Sequence, residues 1–493
     1  MFQKILIANR GEIAVRILRA CHELGIPVVA LYQASDRGSL HVRLADESVE
    51  LRSPAGFLDT RELLEIAQER GVDAIHPGYG FLAERDDFIR ACKASGIAFI
   101  GPPAEVIERV RHKIDVLSQA QQMGIPTPAH SDLFKDTCDL PALQAAAERL
   151  GYPLVVKSCR GGRGRGERLV WSAELLPRAV QRSQAEAQAV YGDECIYLER
   201  VILQAHQIGV QVAGDSHGNL VHLGEREGSL LYGNQKLVEE APAPCLTSQQ
   251  RQQIWEMALL LARHFGFQGI GTVEFLVDTV GNLFFTEFKP RIQIDHPLTE
   301  MLTRLDLVQE QIRVAAGQPL SFQQSEVQFS GWAMQCRIRA EDPHHQFLPS
   351  PGRLEHLRAP GGGDIRLETY LSSGCEVPAE YDPLIAKLVA WGRDRPACLA
   401  RLRQALDEFR LGGVATNLPL LGRILEQPSF ATGCYTTELL VETGRDEDGL
   451  DVRDLRALAV IAALVSISEK QQFRPQIPER LLSGWHRSTR RRE

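Results

Sequence analysis

Residues 271–300, GTVEFLVDTVGNLFFTEFKPRIQIDHPLTE, set charges among residues that otherwise suit apolar strands. Val273–Phe275 and Leu283–Phe288 read as two strands, and each carries one carboxylate, Glu274 and Glu287. A dense polar set follows at Lys289, Arg291, Gln293, Asp295 and His296. A charge amid apolar strand residues is costly unless it is paired or bound to an ion. Two carboxylates on neighbouring strands suit Mg²⁺ bridging nucleotide phosphates, because hard oxygen ligands match that small cation. Arg291 next to Asp295 adds an anion-binding fork and a candidate base. An ordinary β-hairpin with solvated charges fits the same pattern, and spacing alone leaves both readings open.

A second segment points to a polyanion. Tyr152–Lys157 reads as a strand ending in lysine, and Cys159-Arg160-Gly161-Gly162-Arg163-Gly164-Arg165-Gly166 follows it. The next strand is expected at Arg168–Trp171. A glycine- and arginine-rich loop joining two strands makes a hairpin that can close over phosphate with backbone N–H groups and guanidinium forks. A solvated basic turn is the plain alternative.

These segments need a scaffold. Over the first hundred or so residues, strands and helices alternate: Lys4–Ala8, Glu12–Leu24, Val28–Tyr32, Arg61–Arg70, Ala74–His76, Phe88–Ser95 and Ala98–Ile100. That spacing implies a parallel sheet covered on both faces. Asn9-Arg10-Gly11 and His76-Pro77-Gly78-Tyr79-Gly80 stand where strands end, the favoured side for ligands. No G-x-G-x-x-G occurs, which disfavours a nicotinamide site. Gly101-Pro102-Pro103 marks a boundary, and a helical stretch is expected over Val106–Met123. A smaller α+β unit follows, from about 130 to 203. Residues 208–216 and 219–224 read as strands and Ser248–Phe265 as a helix. Beyond 325, short strands and turns dominate, with a strand at Trp332–Arg339 and a helix at Ala397–Phe409.

Composition narrows the class. The chain has 493 residues, 44% hydrophobic, and a net charge of −8, enough for several cores and without the basic excess of a nucleic-acid or membrane-surface protein. The start, MFQKILIANRGEIAVRIL, is strand then helix, not a signal peptide. The longest apolar run, Ala457–Ile467, is shorter than the roughly 18 residues of a membrane span. Ten cysteines are scattered with no CxxC pair, so a cytoplasmic protein with reduced thiols is expected.

Taken together, the motifs resemble biotin carboxylase, the ATP-grasp component of biotin-dependent acyl-CoA and pyruvate carboxylases. ILIANRGEIAVRILRAC, AIHPGYGFLAE, IAFIGP, QKLVEEAPAP, RIQIDHPLTEM, CRIRAEDP, FLPSPG and YDPLIAKL occur in that family's order between residue 3 and about 440. The resemblance implies an α/β fold of three parts: a Rossmann-like pre-ATP-grasp domain over 1–112, an ATP-grasp domain over 113–325 with a mobile lid at about 130–203, and a β-rich C-terminal domain over 326–445. A tail would follow over 446–493. It also implies the reaction, in which carboxyphosphate forms from ATP and bicarbonate and its carboxyl group passes to N1 of biotin on a carrier protein, with Mg²⁺ or Mn²⁺ as metal. By resemblance, Lys113 and Lys157 grip nucleotide phosphates, and Arg163 and Gly164 of the glycine- and arginine-rich loop are expected to contact the nucleotide as well. Glu199 contacts adenine, and backbone atoms of Arg200 to Ile202 line its edge. Gln207 and Asn234 stand at nucleotide-contacting positions. Glu274 and Glu287 hold the metal. Lys236, Arg291, Gln293 and the backbone of Ile294 cradle bicarbonate, Asp295 is the general base, and Arg337 stabilises the biotin enolate.

The chain departs from the family at several of these places. Arg160 and Arg163 interrupt a glycine run, Glu167 replaces a methionine, Gln207 a histidine, and Gly209 a glutamate. Leu231, Asn234 and Lys289 replace a glutamine, a histidine and a metal-binding asparagine, and Asp295 shortens a glutamate base. Three readings follow: a working carboxylase with a remodelled site, a catalytically impaired nucleotide-binding or regulatory paralogue, and an ATP-grasp ligase of another carboxylate. The chain has no Ala-Met-Lys-Met biotinylation motif, so a separate carrier and a separate carboxyltransferase are expected as partners, with neither nucleic acid nor membrane. Arg19, Glu23 and Arg366 match positions at the family's dimer contact, so a homodimer is expected, although Gly363 stands where that contact has an aromatic. Leu481–Arg487 resembles the segment that follows in longer acyl-CoA carboxylase subunits.

Overall fold

A computed structural model describes residues 1–135, 140–159, 168–232 and 235–439. The lid-loop residues Arg160, Arg163, Gly164 and Glu167, together with Asn234 and the tail over 446–493, lie outside the described residues.

The chain opens on the expected parallel sheet. Strands β1 (Ile5–Ile7), β2 (Val28–Tyr32), β3 (Glu47–Glu50), β4 (Ala74–His76) and β5 (Ala98–Phe99) stand in the order β3-β2-β1-β4-β5. All four pairings are parallel. Helices Gly11–Glu23, Thr60–Glu69 and Asp86–Ala94 alternate with the strands. β1 is fully buried, as a strand covered on both faces must be. Its C-terminal end is held by side chains. Asn9 Nδ2 donates to the carbonyls of Pro77 and Tyr79 at 2.6 and 2.8 Å. Gly78 turns there at φ +62°, where a Cβ would fall 2.9 Å from Asn9 Nδ2.

The expected helix over Val106–Met123 is two helices, Ala104–Arg111 and Lys113–Gln122. His112 between them is extended, at φ −83° and ψ 94°. The break sets Lys113 at a first helical position, whose N–H has no partner within the helix. That N–H donates instead to Cys159 O at 3.2 Å, tying the helix start to the root of the glycine-rich loop.

The lid is a small layer of its own. Strands β6 (Leu154–Ser158), β7 (Arg168–Val170) and β8 (Ile196–Arg200) form an antiparallel sheet in the order β7-β6-β8. Leu143, Ala147, Leu154, Val156, Val170, Leu176, Ile196 and Leu198 give it a separate core with helices Leu140–Leu150 and Leu176–Tyr191. The glycine- and arginine-rich loop therefore joins two paired strands, as its sequence implies.

The third layer is an antiparallel sheet of eight strands. It contains β9 (His206–Gly214), β10 (Leu220–Tyr232), β11 (Gln235–Ala241), β12 (Gly269–Val277), β13 (Leu283–Lys289) and β14 (Trp332–Arg339), with Leu384–Gly392 and Ile365–Thr369 completing it. The order is β13-β12-β9-β10-β11-β14, then Leu384–Gly392, then Ile365–Thr369. The expected division near residue 326 falls between β13 and β14 in sequence, yet β11 and β14 are hydrogen-bonded neighbours in this one sheet. β10 runs to Tyr232, well past the strand expected to end at 224, because its charged stretch Glu225-Arg226-Glu227 is buried and paired with β9, with Glu227 also paired with β11, rather than solvated. The strand Leu384–Gly392 has no alternating pattern because both of its faces are buried, including Lys387, which bridges Glu12 at 2.9 Å and Glu368 at 2.6 Å. Among the described residues no helix is long and apolar enough to cross a membrane.

Candidate active site

Strand alternation gathers the candidate residues on one face of the large sheet. Glu274 on β12 stands directly opposite Glu287 on β13 and, on its other side, opposite Gly209 on β9. Thr272 stands opposite Lys289 and Gln211, and Arg226 on β10 opposite Gly209. Residues opposite or two apart share a face, so these side chains converge. Gly209 keeps this face shallow, since a Cβ there would lie 2.9 Å from a Thr272 methyl and 3.4 Å from Glu274 Oε1.

The two carboxylates differ in their partners. Glu274 Oε1 accepts from Gln293 Nε2 at 2.8 Å, while Oε2 is buried and accepts no hydrogen bond. Glu287 Oε2 lies 2.8 Å from Lys289 Nζ and 3.9 Å from Lys113 Nζ. Burial pushes the Glu287 carboxyl up, but Lys289, then Lys113 and Lys157, outweigh it and hold it at about 2. An unpartnered buried carboxylate oxygen opposite a permanently ionised carboxylate fits a hard divalent cation. Because the folded-state value lies below the ordinary 4.5, Glu287 stabilises the fold above pH 4.5 and loses that contribution as pH falls towards 2. Lys289→Met removes the nearest cation and will raise the Glu287 value. Acid unfolding followed by circular dichroism should then begin at higher pH than in the parent; an unchanged acid limb would contradict the pairing.

A second carboxylate site lies beside the first. Asp295 is buried, 3.2 Å from Arg226 Nη2 and 3.7 Å from Lys236 Nζ. Burial raises its carboxyl, but Arg226, Lys236 and Arg337 together hold it well below the usual carboxylate range. Lys236 also reaches Glu274 Oε1 at 3.8 Å, so one ammonium bridges both carboxylates. Burial lowers the Lys236 ammonium, and Glu274 and Asp295 more than reverse this, so it stays charged. Gly228 makes room for it: a Cβ there would meet Lys236 Cδ, Cε and Nζ at 2.7, 2.8 and 3.0 Å. Arg337 on β14 is held by two hydrogen bonds to Glu239, which also accepts from Gln335 Nε2 at 2.8 Å. The Ile294 carbonyl accepts from Lys387 Nζ at 3.2 Å.

The other expected residues have partners of their own. Arg291 pairs with a carboxylate other than Asp295. Its Nε donates to Glu84 Oε1 at 2.6 Å and its Nη1 to the Ile292 carbonyl at 3.1 Å. Glu84 comes from the parallel-sheet unit, and the nearer cations already surround Asp295. The backbone N–H groups of Arg200 and Val201 donate to Ala129 O at 2.8 Å and Pro153 O at 3.1 Å and hold β8 in place. The Arg200 guanidinium donates to Leu150 O at 3.0 Å. Half-buried Ile202 follows β8. Glu199 accepts from Lys157 Nζ at 2.7 Å and from Tyr197 Oη at 3.3 Å, so these two expected nucleotide residues are mutual partners. Gln207 on β9 keeps a buried Oε1 without a hydrogen-bond partner. Arg366 pairs within the chain, with Glu300 at 2.7 Å and with Glu368.

Arg226, Glu84, Glu239 and Gly228 are site residues that sequence reading missed. Arg226 had a signal, since Glu225-Arg226-Glu227 interrupts an apolar run as Glu274 does. It is fully buried and donates to Gln211 and Thr299 at 2.7 Å and to Thr272 at 3.0 Å.

Comparison with known proteins agrees with this layout. Three family models match: biotin carboxylase, N-terminal domain, over residues 1–107; carbamoyl-phosphate synthase L chain, ATP binding domain, over 112–323; and biotin carboxylase C-terminal domain, over 335–442. The chain is 42% identical over 436 residues to a biotin carboxylase of Haemophilus influenzae, covering 88% of this chain and 97% of that protein. It is 39% identical to the propionyl-CoA carboxylase alpha chain of Ruegeria pomeroyi, covering 94% of this chain and 72% of the other. Among solved structures, the biotin carboxylase domain dimer of the Hydrogenobacter thermophilus 2-oxoglutarate carboxylase, in complex with MgADP, ADP and bicarbonate, matches with a TM-score of 0.87. That match has 41% identity and covers 90% of this chain and 98% of the other.

Proposed function

This chain belongs to the biotin carboxylase family, a family of ATP-dependent ligases, and from that premise we propose that it carboxylates biotin on a separate carrier protein, using ATP and bicarbonate, as part of an acetyl-CoA-type carboxylase. The observation that carries this reading is Glu274 opposite Glu287, with Lys236 bridging Glu274 to Asp295.

In this reading Lys113 and Lys157 hold the nucleotide phosphates, each leaving its glutamate partner as ATP binds. Glu274 and Glu287 hold Mg²⁺ or Mn²⁺, which supplies charge neutralisation at the triphosphate when bound. Lys289 adds a fixed positive charge on the Glu287 side, where the family has a neutral asparagine. Arg291, Gln293 and the Ile294 backbone position bicarbonate, with Glu84 orienting the Arg291 guanidinium. Asp295, kept ionised by its cations, accepts the bicarbonate proton. The bicarbonate oxygen then bonds to the γ-phosphorus as the bond to ADP breaks. A substrate anion drawn to Lys236 weakens its hold on Asp295, which makes Asp295 a better base. Arg337, oriented by Glu239, faces the biotin that receives the carboxyl group from carboxyphosphate. The lid over about 130–203 excludes water from that labile intermediate.

The test is ATP hydrolysis by the purified protein with free biotin. Hydrolysis should require bicarbonate and rise with biotin. Thermal stabilisation by ATP without turnover would sink the enzyme reading in favour of a nucleotide-binding paralogue, and turnover driven by a different carboxylate would favour another ligase. The same reading places the protein in the cytoplasm, with boundaries near 112, 325 and 445. It also makes the protein a homodimer. Sedimentation at micromolar concentration should show two chains, and a monomer would contradict that assignment.

A further inference from the structure

On the opposite face of the large sheet from Glu274 and Asp295, three side chains of different chemistry converge. They are His206 at the start of β9, Glu227 on β10, and Cys245 in the segment after β11. One ligand atom of each lies within 4.8 Å of the others. His206 Nδ1 is 2.7 Å from Glu227 Oε1, and the Ser229 hydroxyl donates to that same oxygen at 2.8 Å. Glu227 is completely buried, yet its Oε2 accepts no hydrogen bond. His206 and Cys245 are each half-buried, so the cluster has a solvent-facing side.

The charges around this cluster do not balance. Glu227 stands directly opposite Glu240 on β11, a second fully buried carboxylate. Glu240 is neutralised by the Arg395 guanidinium at 2.8 and 2.9 Å and also accepts from Trp332 and Tyr435. Glu225, the next acid along β10, is held by Arg251 at 2.7 Å and by Trp255. Glu227 is bonded by the His206 imidazole, the Ser229 hydroxyl and the Cys245 thiol, and the Arg395 guanidinium that acts on it from further off is already engaged by Glu240. Two buried carboxylates facing one arginine are short of one positive charge.

We propose that His206, Glu227 and Cys245 bind a thiophilic divalent cation of the zinc class, separate from the magnesium-type site on the other face. One thiolate, one carboxylate and one neutral imidazole around a dication form an electrically neutral buried unit. Imidazole and thiolate favour zinc-class ions over Mg²⁺, which takes oxygen ligands. Bond lengths of about 2.0–2.3 Å leave tetrahedral ligand atoms roughly 3.3–3.6 Å apart, which a small side-chain adjustment reaches from the observed cluster. The free Oε2 of Glu227 is the oxygen that would turn to the ion. Binding releases the thiol proton to solvent, and water completes the fourth position on the exposed side. The ion would pin the start of β9, where Gln207 is next in sequence, to the segment after β11.

The test uses the full-length protein, stripped with chelator and then held in excess Mg²⁺ so that the oxygen site is occupied. Co²⁺ serves as the probe. One equivalent should bind and give a near-ultraviolet sulfur-to-cobalt charge-transfer band, which a magnesium-type oxygen site cannot produce. Cys245→Ser should abolish the band, and His206→Gln should weaken binding by more than about tenfold, the scale that even outer-shell partners of a metal contribute. Cys434→Ser, which alters an exposed thiol elsewhere, should leave the band intact. In the unaltered protein, Zn²⁺ should protect Cys245 from alkylation as read by mass spectrometry, which needs no variant to fold. A band that survives Cys245→Ser, absence of stoichiometric uptake, or full alkylation of Cys245 at saturating Zn²⁺ would each overturn the proposal.

Discussion

Replacing Arg226 by methionine will destabilise the protein by about 3–5 kcal/mol, the range found when one member of a buried ion pair is removed. The side chain is fully buried and spends its donors on Gln211, Thr272 and Thr299 while lying 3.2 Å from Asp295. Methionine fills a similar volume, so the loss is electrostatic and not a cavity. Asp295 would keep Lys236 at 3.7 Å as its remaining close cation, and three polar acceptors would lose a donor. Burial would then push the Asp295 carboxyl upward, so the instability should be greatest at neutral pH, where the group must be charged, and smaller in acid. Urea unfolding at two pH values reads both effects. A change below about 1 kcal/mol, the size of an ordinary surface substitution, would show that Arg226 does not carry this site.

Lys236→Met should lower bicarbonate-dependent ATP hydrolysis by about 10²–10³-fold, comparable to removing one preorganised donor from a site of developing charge. The ammonium sits 3.7 Å from Asp295 and 3.8 Å from Glu274, between the proposed base and the proposed metal ligand. Stability should fall less than in Arg226→Met, because Asp295 keeps Arg226 at 3.2 Å and Glu274 keeps Gln293 at 2.8 Å. The measurement is kcat and KM for ATP and bicarbonate beside a thermal unfolding curve. A large fall in melting temperature with an unchanged rate per folded molecule would reverse the assignment and make Lys236 structural.

Much of this architecture is legible in the sequence. The parallel sheet follows from strand–helix alternation at short spacing. The hairpin under the glycine- and arginine-rich loop follows from two apolar runs flanking it, and β12 and β13 from apolar runs that each tolerate one acid. The rest is hidden for a shared reason. β10 runs on past 224 because Glu225, Arg226 and Glu227 are buried in the sheet, and the strand Leu384–Gly392 lacks alternation because both its faces are covered. The helix over 106–123 breaks at His112 for a reason outside the helix, the Lys113 N–H bond to Cys159.

The chain by itself determined which chemical groups are present and in what order: two acids on neighbouring strands, lysines at 113, 157 and 236, and a family pattern from residue 3 to about 440. Local spacing can do this because strand and helix periods are properties of consecutive residues. Tertiary structure alone decided which charge faces which. Arg291 meets Glu84, 207 positions away, and not Asp295 four residues on, while Lys157 pairs with Glu199 across the lid strands. The physical reason is that the strength of an ion pair is set by distance and burial in the folded chain, and neither is encoded in the separation along the sequence.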